Sequence, residues 1–248
     1  MNRGNITRPE VKGLSATTVN IKMRTLKAIF NWAKHPERKY VDQNPFAGVK
    51  EIRTEKKLVF TMTPGEVNAV FAQADKDGNA GQKWKRFVEF LFMTACRRNE
   101  AIELLWGQVD FEKRTVLFRH RKEKKERIIP MNDELMALLL QLRENAEEGT
   151  GPTARVFVYT EDKPSKKFLD YKRDAGLRPE LKLHSFRHTA ARNLLENNVH
   201  LVIIKDILGH TDVKTTEMYL RSFPDALRPA FNVTSIEKFL QSPQPADR

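Results

Sequence analysis

One stretch of the chain departs from the helical spacing of apolar residues that prevails elsewhere. Residues 109–131, VDFEKRTVLFRHRKEKKERIIPM, contain two β-rich segments, TVLF and RIIP, on either side of a highly charged connection. Short runs of β-branched and aromatic residues around a polar turn are typical of a β-hairpin. We therefore expect a mainly α-helical protein with one small antiparallel sheet, which is an α+β fold.

Helical patterns lie on both sides of this hairpin. Five apolar residues from Val19 to Ala33 follow one another at steps of four and three, which predicts a helix that begins near Ser15. Thr63 and Glu66 have the spacing of a capping box and predict the start of the next helix. Further helices are expected over 82–95, 99–106, 132–146, 164–176, 184–198 and 202–209. A short extended piece is expected at 155–160, a helix or turn over 214–222, and a last helix after 228.

Composition indicates the kind of partner. The 248 residues include 44 basic and 32 acidic side chains, a net charge of +12. A field of this sign favours nucleic acid first and an acidic membrane second. Cys96 is the single cysteine, which excludes a disulfide framework within one chain. The N-terminus has no signal-peptide core, and the longest apolar run, FVEFLFM, is too short to span a bilayer. We expect no membrane association and a cytoplasmic location, at the nucleoid when DNA is bound.

Two stretches place arginine and histidine in unusual positions. In TACRRNEAIELLW, residues 94–106, Arg97 lies at the junction of two apolar helices, and Glu100 three residues later could pair with it. In KLHSFRHTAAR, residues 182–192, His184, Arg187 and His188 occupy adjacent turns. The two histidines could bind a metal with a third ligand, pack in the core, or help an arginine to bind an anion. No H-E-x-x-H signature is present, and the arginine would repel a cation.

A tyrosine and a lysine-rich turn complete the set. Tyr219 follows His210 by nine residues in LGHTDVKTTEMYLRS, among threonines and charges, where a surface tyrosine is the plain interpretation. The turn RHRKEKKER, residues 119–127, is either a solvated tip or a source of a lysine that reaches a phosphate. Arginine and histidine donors neutralise charge on a phosphodiester, and a tyrosine hydroxyl attacks phosphorus. Such a set breaks DNA without a metal or another cofactor.

These stretches together resemble the tyrosine recombinases, also called phage-type integrases, over about residues 15–225. TACRRNEAIELLW resembles the family's T-G-x-R-x-x-E-x-x-x-L-x-W box, and HSFRHTAA its H-x-[LF]-R-H-[ST]-x-A box. LGHTDVKTTEMYL is similar to L-G-H-x-x-[IV]-x-T-T-x-x-Y, and RKEKKERIIPM to the T-K-x-x-K-x-R-x-[VI]-P-[LM] hairpin. Four boxes in this order make the resemblance specific.

The resemblance implies a role for each matching residue. Tyr219 is implied to be the nucleophile that forms a 3′-phosphotyrosyl bond with DNA. Arg97 and Arg187 are implied to bind the non-bridging oxygens of the scissile phosphate, with a further hydrogen bond from His210. Lys122 matches the general acid that protonates the departing 5′ oxygen. The phosphotyrosine conserves the bond energy, so rejoining needs neither ATP nor metal.

Other residues are implied to support this chemistry. His184 matches a position that assists proton transfer at Tyr219, Glu100 supports Arg97 or the fold, and His188 is structural. We assign DNA contacts to eight basic residues, Lys22, Arg24, Lys27, Arg121, Lys124, Lys125, Lys166 and Lys167.

The chain departs from the family pattern at two positions in these boxes. Ala95 stands where the family has glycine. The hairpin has no glycine at Lys124, so Lys124 and Lys125 are alternatives to Lys122 as the general acid.

The resemblance also implies a domain organisation. Residues 1–50 are expected to form a partial, front-truncated helical core-binding domain that binds DNA, and 51–62 a linker. Residues 63–227 are expected to be the catalytic domain, and 228–248 a tail or helix exchanged between protomers. The expected partners are double-stranded DNA and three further copies of the chain, as a tetramer on two paired sites. The expected activity is site-specific recombination; the alternatives are an idle DNA-binding module and a type IB topoisomerase.

Overall fold

The computed structural model describes residues 13–54, 59–120, 125–146, 150–160 and 163–223. The chain divides into two compact units, Met1–Lys57 and Leu58–Arg248. This division lies inside the stretch 51–62 that we interpret as a linker, and the roles of the two units stay predictions. In the described part of the chain, no helix is long and apolar enough to cross a membrane.

The first unit is built on one helix, α1 (Ala16–Ala33). The helix begins next to Ser15, as the sequence predicted, and the Ser15 hydroxyl caps it by accepting a hydrogen bond from the Thr18 backbone N–H. The segment after the helix is fixed to it by side-chain amides: Asn20 exchanges two hydrogen bonds with the Ile52 backbone, at 2.7 and 2.9 Å, and Asn44 donates to the Lys27 carbonyl. Polar contacts therefore hold much of this small unit together.

The second unit contains the remaining described helices and strands. The helices are α2 (Pro64–Lys76), α3 (Gly78–Thr94), α4 (Arg98–Ile102), α5 (Asp133–Glu144), α6 (Lys163–Asp174), α7 (Ser185–Glu196), α8 (Leu201–Leu208) and α9 (Val213–Ser222). The strands are β1 (Val109–Asp110), β2 (Thr115–His120) and β3 (Lys125–Pro130). The predicted capping box is confirmed, because Thr63 and Glu66 satisfy each other's backbone N–H groups at the start of α2.

The three strands form an antiparallel sheet in the order β1-β2-β3. The pairing of β2 with β3 runs from Thr115 opposite Pro130 to His120 opposite Lys125. Alternate residues of β2, Val116 and Phe118, are buried. The predicted hairpin and the mainly α fold with a small antiparallel sheet are confirmed.

An aromatic core aligns the helices around this sheet. Trp84 is fully buried, its indole N–H donates to the Pro164 carbonyl at 3.0 Å, and its ring contacts Phe168 and Phe186. These contacts join α3, α6 and α7, so α7 is held rigidly. That matters because α7 carries Arg187 and His188, with His184 at its N-cap.

The predicted helix over 99–106 is wrong in its second half, because α4 ends at Ile102. Leu104 instead accepts a hydrogen bond from the Val156 backbone, and Leu105 forms a β-bridge with Arg155. Pairing with the extended piece at 155–160 replaces the last helical turn, since tertiary contacts override local propensity. Leu104 and Trp106 from the first segment, and Val156 and Phe157 from the second, remain in the core.

Candidate active site

The site begins at a sharp turn between α3 and α4. Ala95 closes α3 in the left-handed conformation, with φ of 48°, which costs a residue other than glycine about 1 kcal/mol or more. Glycine in the family removes that cost. The turn points the Ala95 carbonyl at Arg187, whose Nη1 donates to it at 2.5 Å, and places Arg97 at the N-cap of α4.

Glu100 holds two arginines at once. Its carboxylate accepts from the Arg97 backbone N–H at 2.6 Å and from Arg97 Nη1 at 3.1 Å. The same two oxygens accept from both terminal nitrogens of Arg127, at 3.1 and 2.9 Å. Burial opposes ionisation of Glu100, but the charges and hydrogen bonds of Arg127 and Arg97 outweigh it and lower its pKa. The carboxylate is therefore a fixed anchor for both guanidiniums.

Arg127 was not predicted as a site residue. It extends from β3, its guanidinium stacks on the Phe118 ring at 4.7 Å, and Nη1 donates to the Leu208 carbonyl at 3.4 Å. The available signal was the arginine in R-x-[VI]-P-[LM], which is Arg127 in RIIPM. Its partners are distant in sequence, so local pattern gave no reason to choose it.

The end of α8 brings three arginines together. The Leu208 carbonyl accepts from Arg187 Nη2 at 2.5 Å as well as from Arg127, and the Gly209 carbonyl accepts from Arg97 Nη2 at 3.1 Å. The negative end of a helix dipole suits such cations. Gly209 has φ of +62°, a conformation that favours glycine, and a Cβ there would lie 2.4 Å from Arg127 Nη1 and would displace that guanidinium.

Arg187 is buried without a carboxylate partner among the described residues. Its exposed fraction is 3%, and its hydrogen bonds go to the Ala95 and Leu208 carbonyls. Burial lowers its pKa to about 10, with repulsion from Arg97 and Arg127 in addition. The group stays charged at neutral pH, so the site holds a positive charge that an anion would neutralise.

His210 lies beside this arginine. Its Nε2 is 3.2 Å from Arg187 Nη2, and its Nδ1 is 2.9 Å from the Thr216 hydroxyl on α9. Burial, followed by repulsion from Arg187 and Arg97, lowers the pKa of His210 to about 4. The imidazole is therefore neutral at pH 7, with one donor and one acceptor nitrogen.

Tyr219 is not a wet surface tyrosine. It is 1% exposed, packed among Ala95, Ala191 and Leu208. Its hydroxyl lies 2.8 Å from His188 Nδ1. Burial raises the pKa of Tyr219 to about 12, although Arg187 acts in the opposite direction.

His184 and His188 are separated by one turn of α7, and their ring centres are 4.7 Å apart. His188 is the one that contacts the Tyr219 hydroxyl, whereas His184 is more exposed and makes no hydrogen bond through its ring to any described residue. Within the residues that the structure describes, no three His, Cys, Asp or Glu side chains group as a metal ion would require.

The general acid predicted from the sequence, Lys122, lies outside the described residues, together with Arg121 and Lys124. Lys125 pairs through its backbone with His120 at the start of β3. The structure thus brings together Arg97, Glu100, Arg187, His188, His210 and Tyr219, with His184 beside them.

The other predicted DNA-contact residues differ in whether their charged groups have a partner within the described part of the protein. Arg24 makes a bidentate ion pair with Glu51, and Lys27 donates to the Val49 carbonyl. Lys167 pairs with Asp77. Exposed side chains without an ion pair within the described ranges are Lys22 and Lys166. All five stay predictions as DNA contacts.

Comparison with known proteins decides the family. The sequence profile of the phage integrase family matches residues 61–225, which is about two thirds of the chain and contains the whole site. The chain belongs to the phage integrase family. The resemblance predicted from the four boxes is confirmed.

Curated relatives within the family carry recombinase names. A tyrosine recombinase of Pseudothermotoga lettingae is 25% identical over 213 residues, covering 84% of this chain and 71% of the relative. The tyrosine recombinase XerC of Bacillus subtilis is 27% identical over 235 residues, covering 88% and 74%. This integrase-family chain is a tyrosine-type site-specific recombinase, and the idle-module and topoisomerase alternatives are not favoured.

Solved structures share the fold. The Tn1549 transposon integrase in complex with a circular intermediate DNA matches with a TM-score of 0.69 at 20% identity, over 88% of this chain and 81% of that one. A lambda integrase tetramer bound to a Holliday junction matches with a TM-score of 0.66 at 17% identity, over 82% and 59%. At these identities the match shows the fold alone.

Proposed function

We propose that this recombinase cleaves and rejoins double-stranded DNA through Tyr219, which attacks a phosphodiester and forms a 3′-phosphotyrosyl bond. The observation that carries the proposal is the positive charge of Arg187, which has no carboxylate partner among the described residues. It lies against His210, and it acts electrostatically on the Tyr219 phenol. A scissile phosphate supplies the missing negative charge at this point, next to the nucleophile.

The phosphate is bound by side chains that converge on the end of α8. Arg187 and Arg97 contact its non-bridging oxygens, because both guanidiniums already point to the 208–209 carbonyls. In the free protein His210 Nε2 accepts from Arg187 Nη2, so the His210 proton lies on Nδ1 and faces the Thr216 hydroxyl. When a phosphate takes the Arg187 hydrogen bond, the Thr216 hydroxyl donates to Nδ1 and the proton moves to Nε2, where it faces the phosphate. These donors stabilise the charge that develops in the transition state.

Proton transfer completes the cycle. Cleavage expels the 5′ oxygen, and Lys122 in the β2–β3 connection donates the proton that this oxygen takes up, with Lys124 and Lys125 as alternatives. The covalent bond stores the energy of the broken phosphodiester, and attack by a 5′ hydroxyl restores it without ATP. The guanidiniums provide the charge stabilisation that a metal provides in other nucleases.

The same proposal includes assembly of the protein as a tetramer on two paired DNA sites. The C-terminal tails are exchanged between the protomers. A groove of about 460 Å³ between α2, α3 and α7 is lined by apolar side chains that include Val67, Phe71 and Phe92. Arg192 at its rim stacks on Phe223, the last described residue. We place residues 228–248 of one protomer in this groove of the next, a heterologous contact that gives a closed ring when the rotations between the four protomers add up to a full turn.

Covalent capture tests the chemistry without a known target site. The protein is mixed with a pool of nicked duplexes with randomised centres, denatured, and DNA attached to protein is sequenced, with Tyr219→Phe in parallel. We expect an adduct with defined sequences that the substitution abolishes. An adduct that persists in Tyr219→Phe contradicts the assignment of the nucleophile, and adducts without sequence preference contradict a site-specific reaction.

Truncation tests the assembly. Deletion from Arg228 onward should weaken tetramer formation on paired sites more than binding to a single site, because the tail contacts protein rather than DNA. Gel-shift titrations of both assemblies measure the two effects, and equal losses refute the exchange. We place the reaction in the cytoplasm, at the nucleoid while DNA is bound.

A further inference from the structure

Thr216 is a fully buried residue of α9 whose hydroxyl contacts the phosphate-binding part of the site. We propose that Thr216 is a positioning residue of the reaction. Its hydroxyl holds His210 with the Nε2–H toward the scissile phosphate, and it makes this donor depend on the docking of α9. The inference rests on the proposed function, because it concerns a donor to the phosphate that Tyr219 attacks.

The imidazole of His210 lies between two partners of different kinds. Its Nε2 is 3.2 Å from Arg187 Nη2, which is a donor only. Its Nδ1 is 2.9 Å from the Thr216 hydroxyl, which donates or accepts as required. The backbone of His210 is fixed as well, because its N–H donates to the Lys205 carbonyl at 3.0 Å. The ring therefore has a set position, and its tautomer is the variable that Thr216 controls.

A hydroxyl is a partner that accommodates both tautomers of a neutral imidazole. In the free protein the Nδ1–H of His210 donates to the Thr216 oxygen, and the hydroxyl proton then has no acceptor among the described residues. When a phosphate binds, this hydroxyl donates to Nδ1, and the Nε2–H donates to the phosphate. A buried donor without a partner costs free energy, so the Thr216 hydroxyl favours the tautomer that faces DNA.

The change of tautomer moves one proton and leaves the charge of His210 unchanged. The ring loses the proton on Nδ1 and gains one on Nε2, so it stays neutral throughout. A neutral ring is expected here, because burial, followed by repulsion from Arg187 and Arg97, lowers the pKa of His210 to about 4. Thr216 therefore acts by orienting a neutral donor and adds no charge to the site.

The helix that carries Thr216 also carries the nucleophile. Thr216 and Tyr219 are three residues apart on α9, which places them on one face, and both are buried. The Tyr219 hydroxyl contacts His188 on α7 at 2.8 Å. The Thr216 hydroxyl contacts His210, which lies in the connection from α8 to α9. Both contacts are lost if α9 moves away, so the donor to the phosphate is complete only while the nucleophile is in place.

Thr216→Val tests the role, because it removes the hydroxyl with little change in shape. On a nicked duplex recovered by the covalent capture, we expect single-turnover adduct formation to slow by about 10–10²-fold, since a buried imidazole nitrogen loses its partner. Thr216→Ser keeps the hydroxyl and should restore most of the rate. The dissociation constant for the duplex should be the same in all three proteins. Thr215→Val, at an exposed neighbour on the same helix, is the matched control and should cleave like the parent.

A double-mutant cycle separates positioning of His210 from packing of α9. In a His210→Phe background, Thr216→Val should cause no further loss of rate, because the group through which Thr216 acts is gone. A hydroxyl that only supports the helix would cause the same fold loss in both backgrounds. That result overturns the inference, as does a Thr216→Val protein that cleaves like the parent or a Thr216→Ser protein that is as slow as Thr216→Val.

The tautomer gives a readout that is separate from activity. In Tyr219→Phe protein with ¹⁵N-labelled histidine, the signals of His210 are those lost on His210→Phe. They should show the proton on Nδ1 in the free protein and on Nε2 when the uncleaved duplex is bound. A tautomer that DNA does not change contradicts the inference. A parent protein that forms no adduct removes the proposed function and this inference with it, whereas an active parent matched by Thr216→Val removes this inference alone.

Discussion

Arg127 and Arg187 lie in the same site and meet at the same carbonyl, but their charges are balanced differently. Arg127 has a bidentate carboxylate partner, Glu100, and an aromatic ring beneath it. Arg187 has carbonyl partners and a neutral histidine, with no carboxylate among the described residues. An internally paired cation stabilises the fold, whereas an unpaired one costs stability and is available to a ligand.

The paired arginine makes the site rigid, and the arginine without a carboxylate partner among the described residues gives it a positive charge for an anion. The Glu100 carboxylate forms ion pairs with Arg127 and Arg97. These contacts, with the hydrogen bond from Arg97 to the Gly209 carbonyl, fix β3, α4 and the end of α8 relative to one another. The Arg187 charge has no carboxylate partner among the described residues and is available to an anion. Predictions that separate stability from catalysis are therefore the sharpest tests of this difference.

The largest expected effect is on catalysis. Arg187→Met should reduce adduct formation by at least about 10³-fold, because donors to the transition-state charge are lost. Its unfolding free energy should change by less than about 1 kcal/mol, because relief of the buried charge offsets the carbonyls left unpaired. Single-turnover cleavage and urea unfolding measure the two effects. A variant that is strongly destabilised would show that Arg187 is structural.

Arg127→Met should have the opposite profile. Removal of the guanidinium leaves Glu100 buried with Arg97 alone, and we expect a loss of about 3 kcal/mol in unfolding free energy. Arg127→Lys should recover part of that loss, but not the bidentate geometry. Urea unfolding of the three proteins tests this order, and a stability of Arg127→Met equal to that of the parent would erase the distinction between the two arginines.

A smaller effect is expected in acid. The folded-state pKa of Glu100 is lowered, so its contribution to stability is present above its ordinary pKa and is lost as pH falls through the folded value. The parent should therefore exceed Glu100→Gln in stability at pH 7, and the difference should shrink at an acidic pH below the ordinary range of a glutamate carboxyl. Urea titrations at both values measure it, and a gap that widens in acid would mean that burial, not the arginines, controls this carboxyl.

The sequence predicted the parts of the site more completely than their connections. Thr63 with Glu66, the hairpin and the four boxes are local patterns, so their residue spacing was sufficient. The partners of Arg127 lie 27 and 81 residues away, and the contact between His188 and the Tyr219 hydroxyl spans 31 residues. The shortened α4 likewise depends on pairing with residues 155 and 156. Such contacts arise from tertiary packing, which no local spacing records.

The smallest effect extends the comparison to two neighbouring lysines on α6. Lys167 pairs with Asp77 and donates to the Tyr171 hydroxyl at 3.2 Å, while Lys166 is exposed and has no ion pair among the described residues. Lys166→Gln should reduce the slope of log binding constant against log salt by about one, because a phosphate contact releases a counterion.

Lys167→Gln is the matched control. It should leave that slope unchanged and lower the melting temperature, because its charge is already used inside the protein. Fluorescence anisotropy of a labelled duplex over a series of salt concentrations, with thermal unfolding beside it, measures both variants. A slope reduced equally by both substitutions would mean that DNA displaces Asp77 from Lys167. An ion pair within the protein would then not prevent a lysine from binding DNA phosphate.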